Sequence, residues 1–220
     1  FRFVHVSTDE VFGALGEAGV FTVDSPYHPN SPYAASKAAS DHFARAWEHT
    51  YGLPVLVTNC SNNYGPYQYP EKLIPVAVRK AMALEAIPVY GSGHQVRDWL
   101  HVDDHARGLV AALERGEVGR TYLFGGGSER TNLAVVRTIC DAVDEIAPAG
   151  APRHSLITHV TDRPGHDFRY AVDPSRTAVE LGWSASRTFE DGLCETVAWY
   201  ASNAAWVAEV LGDRRDDRRL

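Results

Sequence analysis

The sequence predicts an α/β fold with a mainly parallel sheet. Strand-like and helix-like patterns alternate along the 220 residues, the order expected when helices cross over between parallel strands. Apolar runs such as FRFVHV and LPVLVTNC stop in polar loops rich in Gly, Pro, Ser and Asn, which punctuate the elements. The length suffices to bury a sizeable core, as one domain or as a large part of a bigger one.

The first strand covers about residues 2 to 7 and is followed by the loop GALGEAGVFTVDSPYHPNSP. A long helix is expected from Pro32 to Tyr51, with Ser31 as N-cap, Pro32 in the first helical position and Gly52 after the last turn. LPVLVTNC, residues 53 to 60, is a second strand that ends in the loop SNNYGPYQYP. A helix then covers about Glu71 to Leu84, IPVYG is a short strand, and VDDHARGLVAALERG is a helix stopping at Gly116. RTYLFGGG reads as a strand and TNLAVVRTICDAVDEIA as a helix capped by Thr131 or Asn132. LITHVT is a strand and DRPGHDFRYAVD a loop; a short helix near Pro174 to Leu181 and a longer one from about Phe189 complete the chain. The chain opens directly in a strand pattern, with no Met and no preceding turn, which predicts a piece whose amino-terminal part is missing.

Composition narrows the function. No apolar run approaches the ~18 residues that span a bilayer, and FRFVHV has none of the features of a signal peptide. A net charge of -7 argues against general nucleic-acid binding, and the terminal DRRDDRRL, with its alternating signs, reads as a solvated tail. Cys60, Cys140 and Cys194 are odd in number and contain no CxxC, which predicts reduced thiols in a cytoplasm and neither a disulfide framework nor a zinc site. HVDDH, residues 101 to 105, reads as a helix start with acidic residues in its first turn, and no metal is expected.

Two constellations carry chemistry. VHVSTDEVFG ends a strand in two hydroxyls and two adjacent carboxylates, Ser7-Thr8-Asp9-Glu10. These are either a solvated strand end or an acid and a base aimed into a cleft. Tyr33 and Lys37 stand four residues apart at a helix start, on one face, so the ammonium is expected to lower the phenol's pKa toward neutrality. A Tyr so tuned exchanges a proton with an alcohol that is losing hydride. Adjacent side chains on a strand face opposite ways, so Asp9 and Glu10 can serve one substrate only if the backbone turns after Thr8.

A strand ending in Ser-Thr, then YxxxK at a helix start, then a strand ending in NNYGP resembles the extended short-chain dehydrogenase/reductase family. Within it, STDEVFG, SPYAASKAASDH, SNNYGPYQYPEKLIP, VYGSGHQVRDWLHVDDH and DRPGHDFRYAVD resemble the nucleotide-sugar 4,6-dehydratases, in order and over nearly the whole chain. The resemblance implies a Rossmann-like doubly wound parallel sheet, here its C-terminal part, plus a smaller α/β substrate-binding domain. Residues 1–65 would belong to the NAD-binding domain and 66–220 mainly to the nucleotide-sugar domain, with about 85–125 returning to the sheet.

The implied cofactor is NAD, the implied substrate dTDP-glucose, the implied assembly a homodimer through a helical bundle, and the implied reaction a hydro-lyase elimination giving a 4-keto-6-deoxy sugar. It assigns the catalytic roles to Thr8, Asp9, Glu10, Tyr33 and Lys37, with Glu10 taking the C5 proton and Asp9 protonating the leaving 6-hydroxyl. Ser7, Tyr33, Lys37 and Asn63 would face the cofactor. Thr8, Asn62, Lys72, Leu73, Pro88, Tyr90, Arg97, Asn132 and Arg163 would face the substrate, the two arginines on its diphosphate. Other NAD-dependent nucleotide-sugar dehydratases or epimerases, and an inactive sugar-nucleotide-binding fragment, are the rival readings; Asp9-Glu10 argues against an epimerase. Gly13, Gly16 and Gly19 spell GxxGxxG after a strand, but the following VFTVDSPYHPNSP cannot open the helix that a dinucleotide fingerprint requires. The 220 residues alone are therefore expected to give no 4-keto product from NAD and dTDP-glucose.

Overall fold

This computed structural model describes the backbone of residues 1–217 and the side chains of residues 1–212. The terminal DRRDDRRL, expected as a solvated tail, lies outside the residues whose side chains are described.

β1 (Phe3–Thr8), β2 (Val55–Cys60) and β6 (Thr121–Phe124) form a sheet in the order β1-β2-β6. Both pairings are parallel, with Thr8 opposite Cys60 and Asn59 opposite Leu123. Adjacent parallel strands need a crossover, and α1 (Pro32–Tyr51) supplies it between β1 and β2. β2 is the middle strand and is buried from Val55 to Asn59. That is why residues 53 to 60 read as an apolar run without alternation.

Local chemistry fixes the ends of α1. Ser31 Oγ accepts from Ala34 N at 3.0 Å, and Pro32 has no N–H to leave unpaired. Gly52 takes the left-handed conformation, φ 66°, and its N–H closes the last turn on Glu48 O. The helix has the bounds expected from these residues.

The chain divides into two compact units. Unit 1 comprises Phe1–Asn63, Gln95–Arg130 and Pro164–Phe189; unit 2 comprises Tyr64–His94, Thr131–Arg163 and the residues from Glu190 on. In unit 1, α3 (Val102–Arg115) and α5 (Ser175–Leu181) pack on the parallel sheet. One core cluster joins Leu56, Leu100, Tyr122, Phe124, Leu181 and Trp183. Another joins Val11, Phe12, Phe21, Ala38, Leu123, Tyr170 and Val172. In unit 2, α2 (Leu73–Met82) packs on α4 (Asn132–Ile146), and β4 (Ile87–Tyr90) pairs in parallel with β8 (Ile157–Val160). Thr131 Oγ1 caps α4 by accepting from Ala134 N at 3.1 Å.

Two features differ from the sequence expectation. Residues 96–101 are a strand, β5 (Val96–His101), ordered between β3 (Asn62–Tyr64) and β7 (Glu129–Thr131). Arg97 and Asp98 are both buried in β5, so two charges stand where an apolar pattern would have marked a strand. The helix from Phe189 is two helices, α6 (Phe189–Ser202) and α7 (Ala204–Asp217), divided at Asn203.

Candidate active site

β1 ends at Thr8, and the backbone turns there. Thr8 keeps extended dihedrals, φ -132° and ψ 155°, while its Oγ1 accepts from Glu10 N at 3.3 Å and caps a single 3-10 turn, Asp9–Phe12. Val11 and Phe12 drop into the core below, which holds the turn down by its apolar half. The strand alternation that would have sent Asp9 and Glu10 to opposite faces therefore stops one residue before them. The condition that the sequence set for the pair is met.

The two carboxyl groups differ in environment. Asp9 is 2% exposed, whereas Glu10 is half-buried. Burial above all, then the charges of Glu10 and Asp98, push the Asp9 carboxyl up to about 8 against the pull of Arg97 and of the Thr8 hydroxyl. Asp9 thus holds its proton at neutral pH. A carboxyl that keeps its proton beside a second, more exposed carboxyl on one turn is an arrangement suited to paired acid and base work.

Tyr33 is 55% exposed near the start of α1. Lys37 Nζ donates to Val6 O at 2.8 Å, so the ammonium is anchored at the strand end. The expectation of a lowered phenol pKa is not met in this structure. Burial first, then Glu10, Cys60 and Asp9, push Tyr33 upward, because the charges around it are acidic and Lys37 is turned to a carbonyl.

β2 brings up the next layer. Asn62 and Asn63 follow the strand, and Asn62 Oδ1 is buried with no hydrogen-bond partner among the described residues. Asn63 Nδ2 donates to Cys60 Sγ at 3.2 Å and Ser61 O at 3.0 Å, and its Oδ1 pairs with His105 Nδ1 at 2.9 Å. Burial drives the two neighbours the opposite way from reactivity: Cys60 is pushed up to about 12 and His105 down to about 4, so both are neutral. Ser7, expected at the cofactor, is 4% exposed and its Oγ has no partner among the described residues.

Arg97 is 4% exposed. Its guanidinium donates to Val96 O at 2.7 Å and Asp167 O at 2.9 Å and lies 4.4 Å over the Tyr170 ring. In this structure it braces the 167–170 segment, and a diphosphate contact requires exchange of those bonds. Unit 2 carries the remaining residues that the sequence picked out. Lys72 stands at the N-cap position of α2 and Leu73 opens the helix; Pro88 and Tyr90 lie on β4, Tyr90 half-exposed. Asn132 is the first residue of α4, and Arg163 is exposed, its N–H on Asp162 Oδ1 at 2.8 Å.

Sequence reasoning missed Asp98, Asn59 and His105. Asp98 is 2% exposed and accepts from Gly126 N at 2.8 Å and Ser128 N at 2.7 Å. The available signal was the GGGS turn, residues 125–128, whose backbone amides are free to meet a carboxylate. A Cβ on Gly126 would sit 1.9 Å from Trp99 O, so the turn must be glycine.

The comparisons with known proteins fit this geometry. Residues 1–196 match the family model described as GDP-mannose 4,6 dehydratase. The chain belongs to that family. Among curated members of the 4,6-dehydratases, the dTDP-glucose 4,6-dehydratase of Xanthomonas campestris pv. campestris is 61% identical over 213 residues, 96% of this chain and 61% of that protein. The chain therefore spans about 61% of the length of the curated relatives it matches. A dTDP-glucose 4,6-dehydratase from Bacillus anthracis, solved in complex with NAD, has a TM-score of 0.87 at 48% identity, over 95% of this chain and 64% of that one. The dTDP-glucose 4,6-dehydratase DesIV of Streptomyces venezuelae, also with NAD bound, has a TM-score of 0.89 at 47% identity, over 95% and 62%. These likenesses agree with the Rossmann-like fold of the extended short-chain dehydrogenase/reductase family.

The residues present fit one end of NAD. Ser7 Oγ is buried and unpaired among the described residues, and a buried polar atom of that kind calls for a partner from outside. With Tyr33, Lys37 and the Asn63 amide it offers the hydroxyl, ammonium and amide groups that suit a ribose and a carboxamide. GALGEAG opens no helix: residues 13–19 are irregular apart from one bridge, Leu15 to Arg169. In this member of the 4,6-dehydratase family the diphosphate of a dinucleotide has no helix N-terminus at that loop.

Proposed function

We propose that the protein carrying these residues is a nucleotide-sugar 4,6-dehydratase that converts dTDP-glucose to dTDP-4-keto-6-deoxyglucose with NAD. The observation that carries this reading is the turn at Thr8, which delivers a carboxyl that is neutral at pH 7, Asp9, beside a second carboxyl, Glu10. An epimerase has no elimination for such an acid to assist. The names of the relatives at 52–61% identity support the choice of substrate.

NAD, when bound, supplies a cationic ring that accepts a hydride from C4 and gives it back at C6. The chain's own residues move the protons. Tyr33 takes the proton of the 4-hydroxyl as phenolate, a form that the cationic ring of NAD, once bound, and the Lys37 ammonium would favour over the upward push it feels without cofactor, and Thr8 donates a hydrogen bond to that oxygen. Glu10 takes the C5 proton, which the 4-ketone acidifies, and returns a proton to C5 when hydride has reached C6. Asp9 gives its proton to the departing 6-hydroxyl, which leaves as water. Ser7, Tyr33, Lys37 and Asn63 hold the cofactor side.

Asn62, Lys72, Leu73, Pro88, Tyr90, Arg97, Asn132 and Arg163 are the residues that the family resemblance assigns to the nucleotide sugar. In this reading unit 1 is the cofactor domain and unit 2 the nucleotide-sugar domain. The assembly is a homodimer through α1, whose Phe43, Trp47 and Tyr51 form an exposed aromatic stripe at helical spacing. Three free cysteines fit a reducing cytoplasm, and among the described residues no helix is long and apolar enough to cross a membrane.

The test is isotope exchange. Glu10→Gln is expected to retain C4 oxidation while exchange of the C5 proton with solvent deuterium falls about 100-fold or more. Undiminished exchange would remove Glu10 from the role, and loss of both steps together would move it to substrate binding.

A further inference from the structure

Asn59 is a polar residue near the end of a buried parallel strand. It is 0% exposed in β2, where its neighbours Val55, Leu56 and Val57 are core residues. Asn is a poor strand former, and its carboxamide must be desolvated there, so the sheet itself gives no reason for it. Its hydrogen bonds do. Asn59 Nδ2 donates to Thr8 O at 3.0 Å and to Asp41 Oδ2 at 3.2 Å. Both partners accept only, so the orientation of the amide is fixed by chemistry: the nitrogen, not the oxygen, must face them.

Asp41 is a fixed post. It is 0% exposed on α1, one turn beyond Lys37, and it also accepts from His5 Nε2 at 2.8 Å and from Tyr27 OH at 2.7 Å. Tyr27 in turn accepts from Arg45 at 2.9 Å. Thr8 is the last residue of β1, and its side chain caps the turn of Asp9 and Glu10. Asn59 therefore ties the carbonyl at the root of that turn to a carboxylate anchored on the helix that carries Tyr33 and Lys37.

We propose that Asn59 is a positioning residue for the elimination step: held by Asp41, it fixes the Thr8 carbonyl and so the turn that aims Asp9 and Glu10. The inference rests on the dehydratase reading above. Asn59 touches neither substrate nor cofactor in this role and acts through Thr8. Groups that face Asp9 in the same unit are Glu10, Asp98, Arg97 and Thr8, none of which is altered by substitution at 59.

A matched control lies next door. Thr58, also 0% exposed, donates from Oγ1 to His5 O at 3.2 Å, a bond between the same two strands but three residues from the turn. Asn59→Leu, Asn59→Thr and Thr58→Val are compared in the protein carrying these residues. The readouts are kcat and KM for dTDP-glucose and the Asp9 titration, followed by the carbonyl stretch of its protonated carboxyl and assigned with Asp9→Asn.

Asn59→Leu is expected to lower kcat about 100-fold, with KM within about twofold. It is also expected to move the Asp9 titration to lower pH as water reaches the loosened turn. Asn59→Thr, which keeps one donor in a residue suited to strands, should fall between, and Thr58→Val should leave both readouts unchanged. The proposal is overturned if Asn59→Leu leaves kcat and the titration in place, if Thr58→Val shifts them equally, or if Asn59→Thr fails to fold, which would make Asn59 a determinant of the fold alone. A wild-type Asp9 that titrates in the ordinary carboxylate range would instead sink the dehydratase reading, independently of Asn59.

Discussion

Asp9→Asn should make the protein more stable above neutral pH while abolishing its acid chemistry. The native carboxyl titrates at about 8, against 3.8 in the unfolded chain. Between those values the native state holds a proton that the unfolded state has lost, so stability falls as pH rises through the window. The stabilisation is complete below the unfolded value and gone above the native one. A difference of about 4 units at ~1.4 kcal/mol each is about 6 kcal/mol across the window, if the carboxyl stays buried throughout. Asparagine is neutral in both states and keeps the shape, so the variant escapes this loss.

The assay is urea denaturation of wild type and variant at steps from about pH 5 to about pH 8, where their difference should grow by ~1.4 kcal/mol per pH unit. In the same variant kcat should fall about 10²–10⁴-fold. Parallel stability curves across that range would refute the argument that burial and neighbouring carboxylates keep Asp9 protonated.

Asp104 should behave with the opposite sign. Burial opposes its charge, but the N–H groups of Arg187 and Ser186, the Ser186 hydroxyl and Arg107 outweigh it and hold the carboxyl at about 2. Its contribution, about 2 kcal/mol, is present above pH 3.8 and lost as pH falls through about 2; Asp104→Asn should remove that amount at neutral pH in urea melts and flatten the acid limb. Gly126→Ala should cost about 3 kcal/mol or more, because its Cβ would sit 1.9 Å from Trp99 O, and a thermal shift below a degree would show that the turn can move. Trp47→Glu, on the exposed stripe of α1, should convert the proposed homodimer to a monomer in sedimentation velocity while leaving the fold unchanged by circular dichroism; an unchanged mass would refute α1 as the proposed contact.

Much of unit 1 was legible because its signals are local. Ser31, Pro32 and Gly52 set the bounds of α1 through bonds that reach no further than four residues. The apolar run of 53 to 60 marks β2 because a middle strand is covered on both faces. β5 was not legible. Its charges at Arg97 and Asp98 are satisfied by carbonyls at 167–168 and amides at 126 and 128, partners roughly thirty and seventy residues away, and no periodicity reports them. The break at Asn203 between α6 and α7 was hidden because both sides are helix formers with aromatic residues.

The same division holds at the site. Asp9-Glu10 and Tyr33-Lys37 were picked out by residue type and spacing, since the chemistry dictates which groups must be present, whereas Asn62-Asn63 came from the family resemblance. Which carboxyl keeps its proton was not in the sequence. Burial of Asp9 and the approach of Asp98 decide that, and both arise only when β1 and β5 are folded into one unit. Tyr33 shows the same limit: the helical spacing places Lys37 on its face, yet the ammonium bonds Val6 O and the surrounding charges are acidic. The sequence by itself determined the fold class, the ends of α1 and the candidate reacting groups, because propensity, capping and chemical type act within a few residues. The tertiary structure alone decided the turn after Thr8, the proton on Asp9 and the bond from Asn59 that roots them, because desolvation and charge coupling depend on neighbours that the chain brings together only by folding.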